Sequence, residues 1–276
     1  MPWRFSEDVE PYAEAVLPLL RQNPAARTVA LTVIDALRAG HRFSDQAMLF
    51  GWLEEDGEAR GAISHNPPYD LLLSVVPDPA ALAAALREAG AAVPGVNGEV
   101  ETVERFSAAW TDGTGLEAKT WLEMRLFELG TLAPPDPPPP GAARTAAAAD
   151  LELAMRWFDA FTDELGLPSR MEEPRVRQLI GEGLLWLWED GGEPVALALR
   201  TAAADGVARV TCVYTPPERR GRRYGGAITA TTCADALARD AERVVLFTDA
   251  DNPAPNAVYE RIGFRPVADH RVVRFR

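Results

Sequence analysis

A proline-rich run at Ala133–Gly141 divides the chain, because it cannot form a helix or an inner strand. It reads Ala-Pro-Pro-Asp-Pro-Pro-Pro-Pro-Gly, which favours an extended polyproline II conformation. At about 3.1 Å per residue, such a run spans roughly 28 Å. We therefore predict a semi-rigid linker over residues 133–141, between an N-terminal domain at 1–132 and a C-terminal domain at 142–276.

The C-terminal half alternates helical and strand patterns. The predicted helices cover Leu151–Leu165, Glu173–Ile180, Gly225–Ala241 and Pro253–Ile262. The predicted strands cover Leu184–Trp188, Pro194–Arg200, Val207–Tyr214, Arg243–Thr248 and Val267–Phe275. Two helices, an antiparallel meander and then alternating strands and helices indicate an α/β fold, more specifically an α+β mixed-sheet sandwich.

The N-terminal half gives a weaker signal with a related order. Met48–Glu54 and Ala59–Ser64 predict a hairpin, Leu71–Val76 a strand, Pro79–Ala89 a helix and Trp121–Leu129 a late strand. This order loosely repeats that of the C-terminal half, so we predict a smaller, degenerate copy of the same fold. Its strand-to-helix junction, Ser-Val-Val-Pro-Asp-Pro-Ala, contains no glycine.

Composition excludes several classes of protein. No apolar run approaches the roughly 20 residues of a membrane span, and the first residues lack the pattern of a secretory signal. Cys212 and Cys233 lack metal-ligand spacing, so we expect no metal and reduced thiols. We therefore expect a cytoplasmic, bacterial protein that does not bind a membrane. The sequence leaves open whether it forms a homodimer.

Positive charge is concentrated in one loop. Residues 207–276 hold 12 arginines and 8 acids, whereas the chain as a whole has a net charge of -13. Arg219, Arg220, Arg222 and Arg223 lie among glycines, between a strand and a helix. A helix N-terminus presents free amides and positive potential, and arginine binds phosphate through two hydrogen bonds. The loop therefore suits a small phosphate ligand; a solvated turn and a nucleic-acid contact are the alternatives, the latter disfavoured by the acidic remainder.

Two stretches resemble the GNAT superfamily of N-acyltransferases. Arg220-Gly221-Arg222-Arg223-Tyr224-Gly225 is similar to the coenzyme A loop of that family, (Arg/Gln)-x-x-Gly-x-(Gly/Ala), but has Arg223 where glycine is usual. About 30 residues later, Leu246–Val267 resembles the end of the family's fold: a strand, an asparagine, a short helix with a tyrosine and then Gly-Phe. A P-loop is excluded, since no lysine follows Gly226.

The resemblance implies transfer of an acetyl group from acetyl-CoA, or another acyl group from its CoA thioester, to an amine. The amine of a small molecule or peptide would attack directly in a ternary complex, and Tyr259 would return a proton to the CoA sulfur. The residues expected to bind the cofactor are Val213, Tyr214, Thr215, Arg220, Gly221, Arg222, Arg223, Tyr224, Gly225, Gly226, Asn252 and Asn256. No metal and no nucleic acid are implied.

Structural roles compete with several of these assignments. Tyr259 is also explained as an aromatic residue that pins its helix to the sheet, and Asn252 as a helix N-cap followed by Pro253. Cys212 is best explained as a small core residue. The base for the amine is open among five acids: Glu172, Glu173, Glu182, Asp249 and Asp251. The missing base and Arg223 favour a second hypothesis, a regulatory module that binds acyl-CoA without turnover.

Overall fold

The structure, a computed structural model, describes residues 3–167 and 169–276. The chain forms two compact units. The first contains the residues up to Leu126, with Asp249–Asp251 and Val267–Arg276, and the second contains Phe127–Thr248 and Asn252–Pro266. The end of the chain thus belongs to the first unit. The domain boundaries suggested by the sequence stay a prediction.

The first part of the chain supplies ten elements. They begin with a strand, two helices and three strands, and continue as helix, strand, helix, strand. In order they are β1 (Trp3–Ser6), α1 (Val9–Leu20), α2 (Thr28–Arg38), β2 (Leu49–Glu55), β3 (Glu58–His65), β4 (Leu71–Val75), α3 (Pro79–Glu88), β5 (Gly95–Glu99), α4 (Val100–Thr111) and β6 (Ala118–Leu129).

The second part repeats this order element for element, so the repeat is closer than the sequence indicated. Its elements are β7 (Ala142–Thr145), α5 (Leu151–Leu165), α6 (Glu173–Gly181), β8 (Leu185–Asp190), β9 (Glu193–Arg200), β10 (Val207–Tyr214), α7 (Tyr224–Arg239), β11 (Arg243–Asp249), α8 (Pro253–Arg261) and β12 (Phe264–Phe275). The predicted mixed α/β fold is confirmed.

The sheet of the first unit includes a strand from the last part of the chain, β12, which lies between β5 and β6. Strands β1 to β5 lie side by side in chain order, and β12 lies antiparallel beside β5, with Val272 opposite Asn97. Strands β4 and β5 are parallel and are joined by α3. Asp78 caps α3 by accepting hydrogen bonds from the amides of Ala80 (3.0 Å) and Ala81 (3.2 Å). A carboxylate of the chain itself therefore occupies this helix N-terminus.

The sheet of the second unit has helices on both faces. Its strands β7, β8, β9, β10 and β11 are adjacent in that order, and only β10 and β11 are parallel. Alternate residues of β9 face opposite sides. Leu197 and Leu199 pack against α5 and α6, whereas Ala196 and Ala198 pack against α7. The core of this unit therefore lies in two layers.

The proline-rich run belongs to the second unit. Its Ala133 amide donates to the Ile262 carbonyl at 3.0 Å, and its Pro140 carbonyl accepts from the Trp188 indole N–H at 2.9 Å. Both ends of the run are thus hydrogen-bonded to this unit.

Several elements of the first unit gave no sequence signal. Helix α1 contains a proline at position 18, and β5 reads Gly-Val-Asn-Gly-Glu, which is poor in strand-forming residues. Burial explains both elements, because Tyr12, Val16 and Leu20 of α1 and Val96 of β5 are fully buried. Tertiary packing therefore overrides local preference in these two segments.

Candidate functional site

The loop between β10 and α7 contains two left-handed residues. After Tyr214 the chain forms a short 3₁₀ turn at Pro217–Arg219. Gly221 then has φ 78° and Arg223 has φ 66°. Glycine adopts such angles without cost, but an L-residue with a long side chain does so at about 1–2 kcal/mol. The loop thus requires a glycine-like conformation at the position where the sequence departs from the family pattern.

The start of α7 presents backbone amides without partners. Within the described part of the chain, the first amide bonded at this end is that of Ala227, which donates to the Arg223 carbonyl at 3.1 Å. Described partners are lacking for the amides from Gly221 to Gly226. No side chain caps the helix, and its first turn carries no acid. These amides and the helix dipole favour an anion at this position.

The four arginines of the loop differ in their contacts. Arg220 donates through Nε to the Thr215 carbonyl at 2.8 Å, and through Nη2 to Glu164 at 2.7 and 2.8 Å. Arg222 and Arg223 are exposed, and Arg219 is half-buried. Among the described residues, the ion pair to Glu164 is the one ion pair that these arginines make. The Arg222 side chain also hydrogen-bonds the Tyr224 hydroxyl, so the guanidinium groups of Arg219 and Arg223 remain for a ligand or for solvent.

Tyr224, Gly225 and Gly226 fix the first turn of α7. The Tyr224 ring is buried, and its hydroxyl donates to Asp190 at 2.5 Å. This hydrogen bond and burial raise the pKa of Tyr224. A Cβ at Gly226 would lie 3.2 Å from Cγ1 of Val258 in α8, whereas one at Gly225 would lie 3.6 Å from Oγ1 of Thr215. The Tyr224 side chain thus anchors the helix, and Gly226 permits α8 to approach closely.

Strands β10 and β11 pair over only part of their length. Their parallel register runs from Val207 opposite Arg243 to Val210 opposite Leu246, and ends there among the described residues. Directly after Val210, the pairing of β10 with β9 shifts by one residue. Such a bulge bends the strand and increases its twist. The part of β10 from Cys212 onward therefore lies beyond the segment that is paired with β11.

The end of β10 keeps its pairing with β9 on the other side. Cys212, Val213 and Tyr214 lie opposite Leu199, Ala198 and Leu197. Cys212 and Tyr214 pack towards α5, and Val213 packs towards α7. Burial raises the pKa of the Cys212 thiol, so it stays protonated at neutral pH. Cys212 is therefore a core residue, as its sequence context indicated, and not a thiolate nucleophile.

Tyr259, the residue expected to donate a proton, lies in helix α8. Tyr259 is half-buried, and its ring lies 6.0 Å from that of Phe264 in an edge-on contact. Burial raises the pKa of Tyr259 further above its ordinary value, with a smaller contribution from the nearby Cys212. The hydroxyl therefore stays protonated through neutral pH and can act as a proton donor.

The two asparagines of the same segment differ in environment. Asn252 is exposed and occupies the N-cap position of α8, but its side chain makes no cap hydrogen bond. Its sequence interpretation as a cap is thus right for position and wrong for the side chain. Asn256 is half-buried, on the same helix as Tyr259. Asn252 is therefore more available to a ligand than a capping residue would be.

Comparison with known proteins identifies the second half of the chain. Residues 152–264 match the model of the Acetyltransferase (GNAT) family. The C-terminal part of the chain contains a GNAT acetyltransferase domain. This confirms the resemblance seen in the loop and in α8. A curated relative, the mycothiol acetyltransferase of Beutenbergia cavernae, is 34% identical over 107 residues, which is 36% of this chain. The chain covers only 35% of that relative's length.

Solved structures show that the GNAT fold extends along the chain. An acetyltransferase from the GNAT family of Colwellia psychrerythraea has a TM-score of 0.62 at 13% identity, covering 100% of this chain and 99% of its own. A tandem GNAT protein from the clavulanic acid biosynthesis pathway has a TM-score of 0.57 at 13% identity, covering 99% and 98%. The element order of the first unit agrees with such a tandem arrangement.

The acids considered as a base in the GNAT domain make local contacts. Glu173 pairs with Arg177 at 2.7 Å, and Glu182 accepts from Gln178 at 2.7 Å. Asp249 accepts from the amide of Asp251 at 2.9 Å, and Glu172 is the exposed N-cap residue of α6. These contacts favour none of them as the base.

Sequence reasoning missed Glu164. It contacts the loop through Arg220, from a position 56 residues earlier in the chain. No local pattern signals a contact of this separation.

Among the described residues, no group of acids, histidines and cysteines is arranged to hold a metal ion, and no helix is long and apolar enough to cross a bilayer.

Replacing Arg223 by glycine should stabilise the GNAT domain. Glycine adopts φ 66° without strain, and this gain exceeds its larger loss of backbone freedom. We expect the free energy of unfolding to rise by about 0.5–1 kcal/mol in urea titrations. The matched control is Arg222→Gly, since Arg222 is not among the left-handed residues. It should lower stability by about 0.5–1 kcal/mol. Equal effects of the two changes would contradict strain at Arg223.

Proposed function

We propose that the protein is an N-acetyltransferase that transfers the acetyl group of acetyl-CoA to a primary amine of a small molecule or peptide. One observation carries this proposal: among the described residues the register of β10 and β11 runs no further than Val210, and the helix that follows β10 begins with unpartnered amides. A gap between parallel strands admits an extended thioester arm, and the adjacent helix N-terminus suits its diphosphate. The family of residues 152–264 supports both assignments.

The loop supplies the contacts for the diphosphate. The amides from Gly221 to Gly226, including those of Tyr224 and Gly225, would donate to its oxygens, and the side chains of Arg220, Arg222 and Arg223 would add charge-assisted hydrogen bonds. Since the Tyr224 ring is buried and bonded to Asp190, this residue would act through its backbone. The same donors fit another acyl-CoA equally well, because they do not touch the acyl group.

The end of β10 would align the thioester arm. Val213, Tyr214 and Thr215 follow the bulge, and alternate backbone groups of a strand point to opposite edges. Backbone groups of β10 that face β11 beyond Val210 would pair with the amides of the pantetheine arm. Asn252 and Asn256 of α8 would bind the arm or its entrance.

The reaction needs one polarised carbonyl and two proton transfers. A backbone N–H of β10 polarises the thioester carbonyl, and the neutral amine attacks its carbon. As the new C–N bond forms and the C–S bond breaks, Tyr259 donates its proton to the departing thiolate. The amine loses a proton to a base or to water. The two substrates are held together, so no residue is acylated.

A non-catalytic acyl-CoA-binding regulatory module is the second candidate function. The left-handed Arg223 and the absence of a favoured base among the acids considered above support it. For either function we propose a cytoplasmic, bacterial protein, with a homodimer as one arrangement, and with no role for a metal, a membrane or nucleic acid. We also propose residues 142–276 as the catalytic domain and residues 1–132 as its degenerate partner. The net charge of -13 favours a cationic acceptor.

The decisive experiment measures binding and turnover on the same sample. Acetyl-CoA is titrated calorimetrically, and the release of free thiol is then followed with a panel of aminoglycosides, polyamines, amino acids and peptides. Saturable binding with amine-dependent thiol release supports the enzyme. Saturable binding without thiol release across the panel favours the regulatory module. Absence of binding would overturn both.

A further inference from the structure

Arg220 is held by a carboxylate from another helix. Its Nη2 donates to both oxygens of Glu164, at 2.7 and 2.8 Å, while its Nε donates to the Thr215 carbonyl at 2.8 Å. Arg220 also lies over the Tyr214 ring, 5.9 Å from its centroid. A carboxylate here accepts the same donors that a phosphate oxygen would accept.

Glu164 belongs to the last turn of α5. Helix α5 ends at Leu165, and Gly166 follows in the left-handed conformation with φ 61°. Earlier in the same helix, Trp157 packs against Tyr214, with ring centroids 6.0 Å apart. Helix α5 therefore contacts the end of β10 and the loop at two points, one apolar and one ionic.

The ion pair between Arg220 and Glu164 can be broken at little cost in stability. The side chains of Arg220 and Glu164 are 48% and 43% exposed, and an ion pair with this much solvent contributes little stability. A diphosphate carries more charge than a carboxylate and presents more oxygens to the same guanidinium. Arg220 can therefore leave Glu164 for a diphosphate at small cost.

We propose that Glu164 is a positioning residue that competes with the diphosphate of acyl-CoA for Arg220. In the free protein, Glu164 holds Arg220 and ties the last turn of α5 to the loop. When acyl-CoA binds, Arg220 turns to the diphosphate and the turn around Gly166 is released. This inference rests on the proposed function, because it assumes that the loop binds acyl-CoA.

Binding of acyl-CoA would thereby affect the face of the sheet that α5 and α6 cover. Helices α5 and α6 cover the face towards which Cys212 and Tyr214 point, and the connection between them begins at Gly166. Release of Glu164 would loosen the last turn of α5 only when acyl-CoA is present. We therefore expect the amide hydrogens in the last turn of α5 to exchange faster when acetyl-CoA is added.

The test compares two neighbouring acids. Glu164→Gln removes the charge and keeps the shape, so acetyl-CoA should bind about two- to fivefold more tightly in calorimetry at low salt. The gain in affinity should shrink at high salt, because the competition is between charged groups, whereas a purely structural role of Glu164 would not produce this salt dependence. Asp163→Asn is the matched control, since Asp163 pairs with Arg170 at 2.5 Å. It should leave the affinity as in the wild type.

Several results would overturn the proposed role of Glu164. If Glu164→Gln binds acetyl-CoA no more tightly than the wild type, or if Asp163→Asn gives the same gain, the proposal is overturned while the proposed function stands. If the Glu164→Gln gain persists on an Arg220→Gln background, Glu164 does not act through Arg220 and the proposal also fails. If the wild type binds no acetyl-CoA, both the inference and the proposed function fail.

Discussion

Replacing Tyr259 by phenylalanine is expected to lower kcat for acetyl transfer by about 100-fold, with little change in the affinity for acetyl-CoA. The hydroxyl is the proposed proton donor to the departing thiolate, and burial keeps it protonated at neutral pH. The ring would keep its contact with Phe264, because phenylalanine has the same shape. Initial rates of thiol release and a calorimetric titration of acetyl-CoA measure the two quantities separately.

The control for this change is Tyr69→Phe, which removes a hydroxyl from a side chain that is 45% exposed in the first unit. It should leave both kcat and the affinity for acetyl-CoA as they are in the wild type. A Tyr259→Phe protein with the kcat of the wild type would contradict the role of proton donor. Tyr259 would then keep only its packing role against Phe264, the competing interpretation from the sequence.

The loop and α8 could be predicted because their signals are local. A strand that runs into glycines and arginines and then into a helix lies within about 20 residues, and these residues settle both its shape and its charge. The same is true of Pro253 at the start of α8 and Gly263 after its end, where φ is 110°. Short-range steric rules therefore govern the part of the site that we propose to bind acyl-CoA.

Contacts between distant parts of the chain could not be predicted. The pair of Arg220 with Glu164 joins residues that no sequence period relates. The pairing of β12 with β5 joins strands more than 160 residues apart, although the sequence did indicate a strand near Val267–Phe275. Strand patterns report which face is buried, and they do not report which strand is the neighbour.

The structural role of Arg200 could not be predicted from the sequence. It ends the strand that the sequence predicts over Pro194–Arg200, and arginine is mostly exposed in folded proteins. Its side chain is instead 1% exposed. It donates to Asp235 at 2.9 and 3.1 Å, and it lies 3.0 Å from Asp240. A buried arginine is tolerated only when carboxylates pair with it, and these two come from α7 and the residue that follows it.

Replacing Arg200 by methionine is therefore expected to lower the free energy of unfolding of the second unit by about 3–5 kcal/mol. The loss arises because Asp235, 15% exposed, loses its close partner and keeps only the longer pair with the exposed Arg239 at 3.7 Å. Urea titrations monitored by circular dichroism measure the change. The control is Arg177→Ala, which breaks an exposed pair with Glu173 and should cost less than about 0.5 kcal/mol.

A second variant separates the charge from the packing. Adding Asp235→Leu to Arg200→Met removes the carboxylate that has lost its close partner, so the double variant should recover part of the lost stability. If the two losses simply add, the arginine contributes through its packing and the buried charge is not the cause. Since Arg200 lies in β9 and Asp235 in α7, their pair fixes the far end of the helix whose first turn presents the free amides. Loss of the pair should therefore also weaken the binding of acetyl-CoA.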